Sequence, residues 1–160
     1  MDLSGTWDGE YTYGEGYGSA IGKSVPFRLV LAETGALRWL GFARLTGSVQ
    51  DDSLRGGFPA AGCVEGRRRG RRIGFLKTMP ENYVFDEDGK MTDLFEALAK
   101  EVDTRDFELS PHRIAYQGAV FDDGTRLGGQ WRIQPTWVLA GEKAFQLAGV
   151  GTGTWSARRR

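Results

Sequence analysis

The chain has a single cysteine, Cys63, and a single histidine, His112. One cysteine excludes an intramolecular disulfide, and the pair excludes a cysteine-rich zinc centre or a His-rich metal site. No metal and no cofactor are expected. Formal net charge is zero, with 21 Lys+Arg against 21 Asp+Glu. A generic nucleic-acid binder relies on a global basic field, so a nucleic-acid partner is not expected. No apolar run approaches the ~20 residues of a membrane helix, and no basic-then-apolar leader opens the chain. The expectation is a soluble cytoplasmic protein without a membrane partner. Proline is scarce, 5 of 160 residues, which excludes collagen and Pro-rich low complexity.

Glycine and aromatics are abundant instead. There are 24 Gly, 9 Phe, 5 Tyr and 5 Trp, and the glycine content is about twice the usual ~7%. The length suits one domain over 1–160, and 40% apolar residues are enough for a core.

Most of the chain reads as short strands between glycine-rich turns. Gly5 to Tyr13 alternates Trp7, Tyr11 and Tyr13 against Thr6, Asp8, Glu10 and Thr12. Further strands are predicted near Ser24–Ala32, Arg38–Val49, Ala61–Arg68 and Arg71–Thr78, with Arg69-Gly70 as a hairpin turn. Residues 79–110 break the pattern. This acidic insertion holds one predicted helix, capped by Thr92 or Asp93 and running to about Val102, with Leu94, Phe95, Leu98 and Val102 as its apolar stripe. Strands resume at His112–Phe121 and Arg126–Gln134, joined by an Asp122-Asp123-Gly124 hairpin turn, and at Phe145–Arg158, the last interrupted by Gly149, Gly151 and Gly153. Eight strands in simple succession predict an all-β, eight-stranded antiparallel up-and-down barrel, with the helical insertion between its fifth and sixth strands. A two-sheet sandwich is the alternative. Glycines suit a barrel because strongly coiled strands need them at bends and close backbone approaches.

Gly5-Thr6-Trp7 resembles the Gly-x-Trp signature of the calycins. In that superfamily the tryptophan closes one end of the barrel beneath a basic residue of the last strand. The resemblance therefore implies barrel-closing roles for Trp7 and Arg158. Ile73-Gly74-Phe75-Leu76-Lys77, Ile114-Ala115-Tyr116-Gln117-Gly118, Leu127-Gly128-Gly129-Gln130-Trp131 and Gly151-Thr152-Gly153-Thr154-Trp155 are similar to the fifth to eighth strands of the avidin and streptavidin branch. The biotin site does not carry over. Gly9 and Tyr13 stand where polar residues hold the ureido ring, Gly153 replaces the last-strand aspartate, and His112 and Ile114 replace small hydroxyl residues. Trp7-Asp8-Gly9-Glu10 also resembles the start of the nitrobindin-like haem barrels, whose haem-ligating histidine lies near the C-terminus. No histidine follows His112 here.

If Trp7 points inward, period two places Tyr11, Tyr13, Phe27, Leu29, Tyr116, Trp131 and Trp155 inward as candidate ligand-binding residues. Aromatic walls with phenol hydroxyls suit a small hydrophobic molecule with a polar handle. The alternative is that these side chains fill the barrel. Residues 55–77 carry a net charge of +6 and residues 81–108 a net charge of −7. The acidic insertion packing near the basic Arg67–Arg72 run, in the same chain or a partner subunit, is one reading. A solvated hairpin and a site for an external anion are the others. The insertion reads as a lid or a plug. Asp86-Glu87-Asp88-Gly89 is out of register for a calcium loop and reads as a solvated turn. Cys63 and His112 are not brought together by any spacing, and no catalytic residue is expected.

The expected function is non-catalytic binding of a small, largely apolar ligand in a barrel cavity. The alternative is a structural or homo-oligomeric interaction protein with a filled barrel, with contacts at outward-parity Leu40, Phe42 and Leu76 and at Trp137. A small barrel isomerase or cyclase comes third.

Overall fold

The computed structural model describes residues 1–51, 61–80, 82–85, 91–100, 103–105, 107–147 and 151–160. Thirteen strands occur among them. Eight close into an antiparallel barrel: β1 (Gly5–Tyr13), β2 (Ser24–Thr34), β3 (Phe42–Asp51), β4 (Gly62–Arg69), β5 (Arg72–Met79), β9 (His112–Phe121), β10 (Arg126–Ile133) and β13 (Thr152–Arg159). Each pairs with the next in this order, and β13 returns to β1 through the Tyr11↔Trp155 register. The alternation seen in the sequence becomes the wall itself. In β2, Phe27, Leu29, Leu31 and Glu33 are buried while Pro26, Arg28, Val30 and Ala32 face out.

Two segments leave the barrel from one end. Between β5 and β9 lie β6 (Tyr83–Phe85), β7 (Met91–Asp93), helix α1 (Leu94–Ala99) and β8 (Phe107–Leu109). Between β10 and β13 lie β11 (Thr136–Ala140) and β12 (Lys143–Leu147). β12, β11 and β8 form a separate three-stranded sheet, so the two excursions are bound to each other at this open end. The Asp93 carboxylate caps α1, accepting from the amides of Phe95 and Glu96.

Four boundaries differ from the sequence reading. Arg38–Leu40 is a 3-10 turn rather than strand, and β3 extends through Asp51. The insertion is not strand-free, because three-residue strands are too short to show alternation and are held by pairing. Its helix ends at Ala99 in the structure, whereas the predicted end at Val102 and the Asp86–Gly89 turn lie outside the described residues. The last strand is interrupted as expected, but its two parts, Lys143–Leu147 and Thr152–Arg159, belong to different sheets, and Thr136–Ala140, which carries Trp137, is a strand that was not predicted.

The opposite end is closed by the N-terminus. The Trp7 indole is fully buried and its Nε1 donates to the Leu3 carbonyl at 3.1 Å. Glu33, also buried, accepts from the Leu3 amide at 2.9 Å and from the Arg68 guanidinium, whose Nη2 also donates to the Met1 carbonyl. The Arg159 guanidinium lies 5.0 Å from the Trp7 ring centroid. The cation over the tryptophan is therefore Arg159, not Arg158. Trp155, Ala157 and Arg159 share the inward parity of β13, and Arg158 faces out.

Candidate binding site at the open end

The barrel places six of the seven sequence-predicted interior residues in its buried core: Tyr11, Phe27, Leu29, Tyr116, Trp131 and Trp155. Tyr13 lies half-buried at the rim and packs against them. Phe75, which the sequence reading did not select, stacks on Tyr116 at 4.8 Å between centroids and meets Trp155 edge-on at 5.4 Å. Tyr11 lies between Phe27 and Trp131.

Glycines make room for these rings. A Cβ on Gly9 would come 2.6 Å from the Phe27 ring, one on Gly66 2.5 Å from the Phe75 Cβ, and one on Gly153 2.6 Å from the Trp131 indole. In the middle of the barrel, the space that glycine creates is thus taken by the barrel's own aromatics.

Toward the open end the interior turns polar. Lys77 and Asp51 form an ion pair with Nζ–Oδ2 2.5 Å, and each side chain is only 1% exposed. Lys77 Nζ also lies 5.8 Å from the Tyr11 ring centroid. Burial pushes the Lys77 ammonium down, and the Asp51 carboxylate opposes that shift. Burial, then the Asp51 charge, pushes the Tyr11 and Tyr116 phenols well up. Tyr13 is raised by burial too, partly countered by its hydrogen bond with Tyr11. His112, on the rim at the start of β9, is pushed down to about 4 by burial and then by the Lys77 charge. At neutral pH the imidazole is uncharged and the phenols are protonated. In those protonation states they can donate and accept hydrogen bonds.

Asp51 Oδ2 is committed to Lys77. Its Oδ1 is buried and has no hydrogen-bond partner among the described residues. Leaving such an acceptor unmatched costs on the order of 1–3 kcal/mol. Around the same end, Tyr17 from the glycine-rich loop folds over the mouth. Its ring lies 4.5 Å from that of Tyr13 and 5.7 Å from that of Trp131. Gly151 allows this, since a Cβ there would sit 2.4 Å from the Tyr17 ring.

Besides Phe75, sequence reasoning missed Asp51, Lys77 and Tyr17. Lys77 shares parity with Ile73 and Phe75, and Asp51 with Leu45 and Val49, so both were findable from alternation. Tyr17 had no periodic signal. Cys63 and His112 lie on opposite sides of the wall, with Cys63 exposed and His112 facing in, so they form no nucleophile pair. No cluster of three or more His, Cys, Asp or Glu suited to a metal occurs among the described residues. The basic hairpin turn at Gly70 lies at the closed end of the barrel, whereas the insertion leaves from the open end, after Met79 and before His112. Among the described residues no helix is long and apolar enough to cross a membrane.

No family model matches the chain, and neither a curated protein nor a solved structure matches it.

Proposed function

We propose that the protein binds a small, largely apolar ligand non-catalytically, at the open end of the barrel, with one N–H or O–H of the ligand directed at Asp51. The observation that carries this reading is the buried, unmatched Oδ1 of Asp51 beside aromatic walls. A ligand donor would satisfy that acceptor, and Tyr13, Tyr17 and Trp131 offer ring faces and edges for its apolar body. The likeness to calycin barrels supports the reading through the buried Trp7 under a last-strand cation. The site is more polar than the sequence alone suggested, which favours a ligand with a definite hydrogen-bond donor over a pure hydrocarbon.

Native mass spectrometry of freshly purified protein tests this. A discrete small-molecule adduct, lost in Asp51→Asn protein that remains folded, is expected. An adduct-free mass, with no gain in Tm from a panel of aromatic amides, amines and alcohols, would overturn the proposal.

One observation favours a second reading, that of a structural barrel that self-associates. The rings of Phe75, Tyr116 and Trp155 fill the middle of the barrel, while Leu40, Phe42 and Trp137 are exposed. The same spectrum separates the two readings, because that alternative gives oligomers without an adduct.

A further inference from the structure

The closed end carries a feature that ligand binding in the barrel does not use. The outer face of β3, β4 and β5 places like charges directly opposite one another. Arg44 faces Arg67 across β3 and β4, and Arg69 faces Arg72 across β4 and β5. Opposed like charges destabilise an antiparallel ladder, so two adjacent arginine pairs cost the fold stability. Glu65 is the carboxylate on this face among the described residues. Its contact with Arg44 is long, 3.9 Å, and both side chains are largely exposed. The pair does little to neutralise the cluster.

Apolar groups lie beside the arginines. Trp39 is 77% exposed, Leu37 53%, Leu40 52% and Phe42 47%. Leu37, Trp39 and Leu40 belong to the loop entering β3, whose first residue is Phe42, and the Gly41 carbonyl of that loop accepts from the Gly70 amide of the β4–β5 hairpin at 2.8 Å. That bond fixes the apolar loop next to the arginines. The Arg69 guanidinium sits 5.6 Å from the Phe42 ring centroid, and a shallow depression of about 930 Å³ runs between loop and sheet, lined by Leu37, Phe42, Arg44, Arg67 and Arg69 among others.

We propose that this face docks on an anionic phospholipid bilayer. Trp39, Leu37 and Leu40 enter the headgroup–acyl boundary, and the opposed arginines take lipid phosphates. The phosphates relieve the like-charge repulsion through two-pronged guanidinium hydrogen bonds. Tryptophan with aliphatic neighbours and flanking cations is the chemistry of a membrane interface. Aliphatic Leu37 and Leu40 favour a bilayer over a nucleic acid, which would want aromatic stacking platforms instead. This mode needs no spanning helix and departs from the expectation of a protein with no membrane partner.

The test is co-sedimentation of the full chain with phosphatidylcholine vesicles, with and without phosphatidylglycerol. Binding only to the phosphatidylglycerol vesicles, weakened by added salt, is expected. Arg67→Gln with Arg69→Gln should lower the partition coefficient about 25-fold, or about fivefold per arginine. Trp39→Ala should also lower it, and tryptophan emission should lose its vesicle-induced blue shift. Arg113→Gln with Arg132→Gln, which removes the same charge from the open end, should leave binding unchanged. The folded state of each variant is checked by circular dichroism. The proposal is overturned by any of four results: no binding, equal binding to phosphatidylcholine alone, equal loss in the open-end control, or displacement from vesicles by single-stranded RNA.

Discussion

Replacing Lys77 by Met leaves the Asp51 carboxylate buried without its counter-charge. At Nζ–Oδ2 2.5 Å the direct attraction is on the order of 6–7 kcal/mol for an effective dielectric of about 20. Much of that offsets the desolvation of two side chains that are each 1% exposed. What a single substitution exposes is the uncompensated charge, about 3–5 kcal/mol. Asp51→Val should also destabilise, because the buried ammonium then loses its carboxylate partner. The double variant Asp51→Val with Lys77→Met removes both charges and should cost only about 1–2 kcal/mol, since a buried pair replaced by apolar groups is often near neutral. The coupling between the sites is therefore expected to exceed about 3 kcal/mol. Urea unfolding of wild type, both single variants and the double variant at neutral pH measures it. Single variants losing less than about 1 kcal/mol, or costs that simply add, would refute the claim that this pair is held as a buried unit.

Three further outcomes follow from the geometry. His112, held near 4 in the fold against about 6.5 unfolded, binds fewer protons folded than unfolded between those values. The His112 contribution should be flat above about pH 6.5 and be lost as pH drops toward 4, by up to about 3 kcal/mol. His112→Gln should remove that component of the urea-midpoint slope. Gly153→Ala should destabilise by about 1–3 kcal/mol or more and alter the near-ultraviolet circular dichroism, because the new methyl meets the Thr12 carbonyl at 2.0 Å and the Trp131 indole. Arg159→Ala should lower Tm through the lost Trp7 contact, by about 0.5–1 kcal/mol of stability, whereas Arg158→Ala should fall within about 0.5 kcal/mol of wild type.

The barrel was legible because its wall obeys period two. Trp7, Phe27 and Trp131 each sit in clear alternation, and the Arg69-Gly70 and Asp122-Asp123-Gly124 turns punctuate the strands. Gly70 takes φ +61° and the two aspartates φ 49° and 54°, as tight left-handed turns require. The strands of the small sheet were not legible. β8 is three residues long, and its existence depends on β11, contributed from later in the chain. The site was half legible for the same kind of reason. Parity finds aromatic rings, but a charged residue in a strand reads as solvent-facing by default. Only the inward neighbours of Lys77 and Asp51 reveal that both are buried. The choice of Arg158 over Arg159 was a one-residue shift, which in a strand reverses the face.

The ligand site is the central claim, and a crystal structure of the protein as it is purified tests it most directly. The account predicts non-protein density against the rings of Tyr13, Tyr17 and Trp131, with a donor atom about 2.7–3.2 Å from Asp51 Oδ1. Density showing Asp51 Oδ1 satisfied by the chain's own N–H or O–H groups, with side chains closing the mouth, would contradict it.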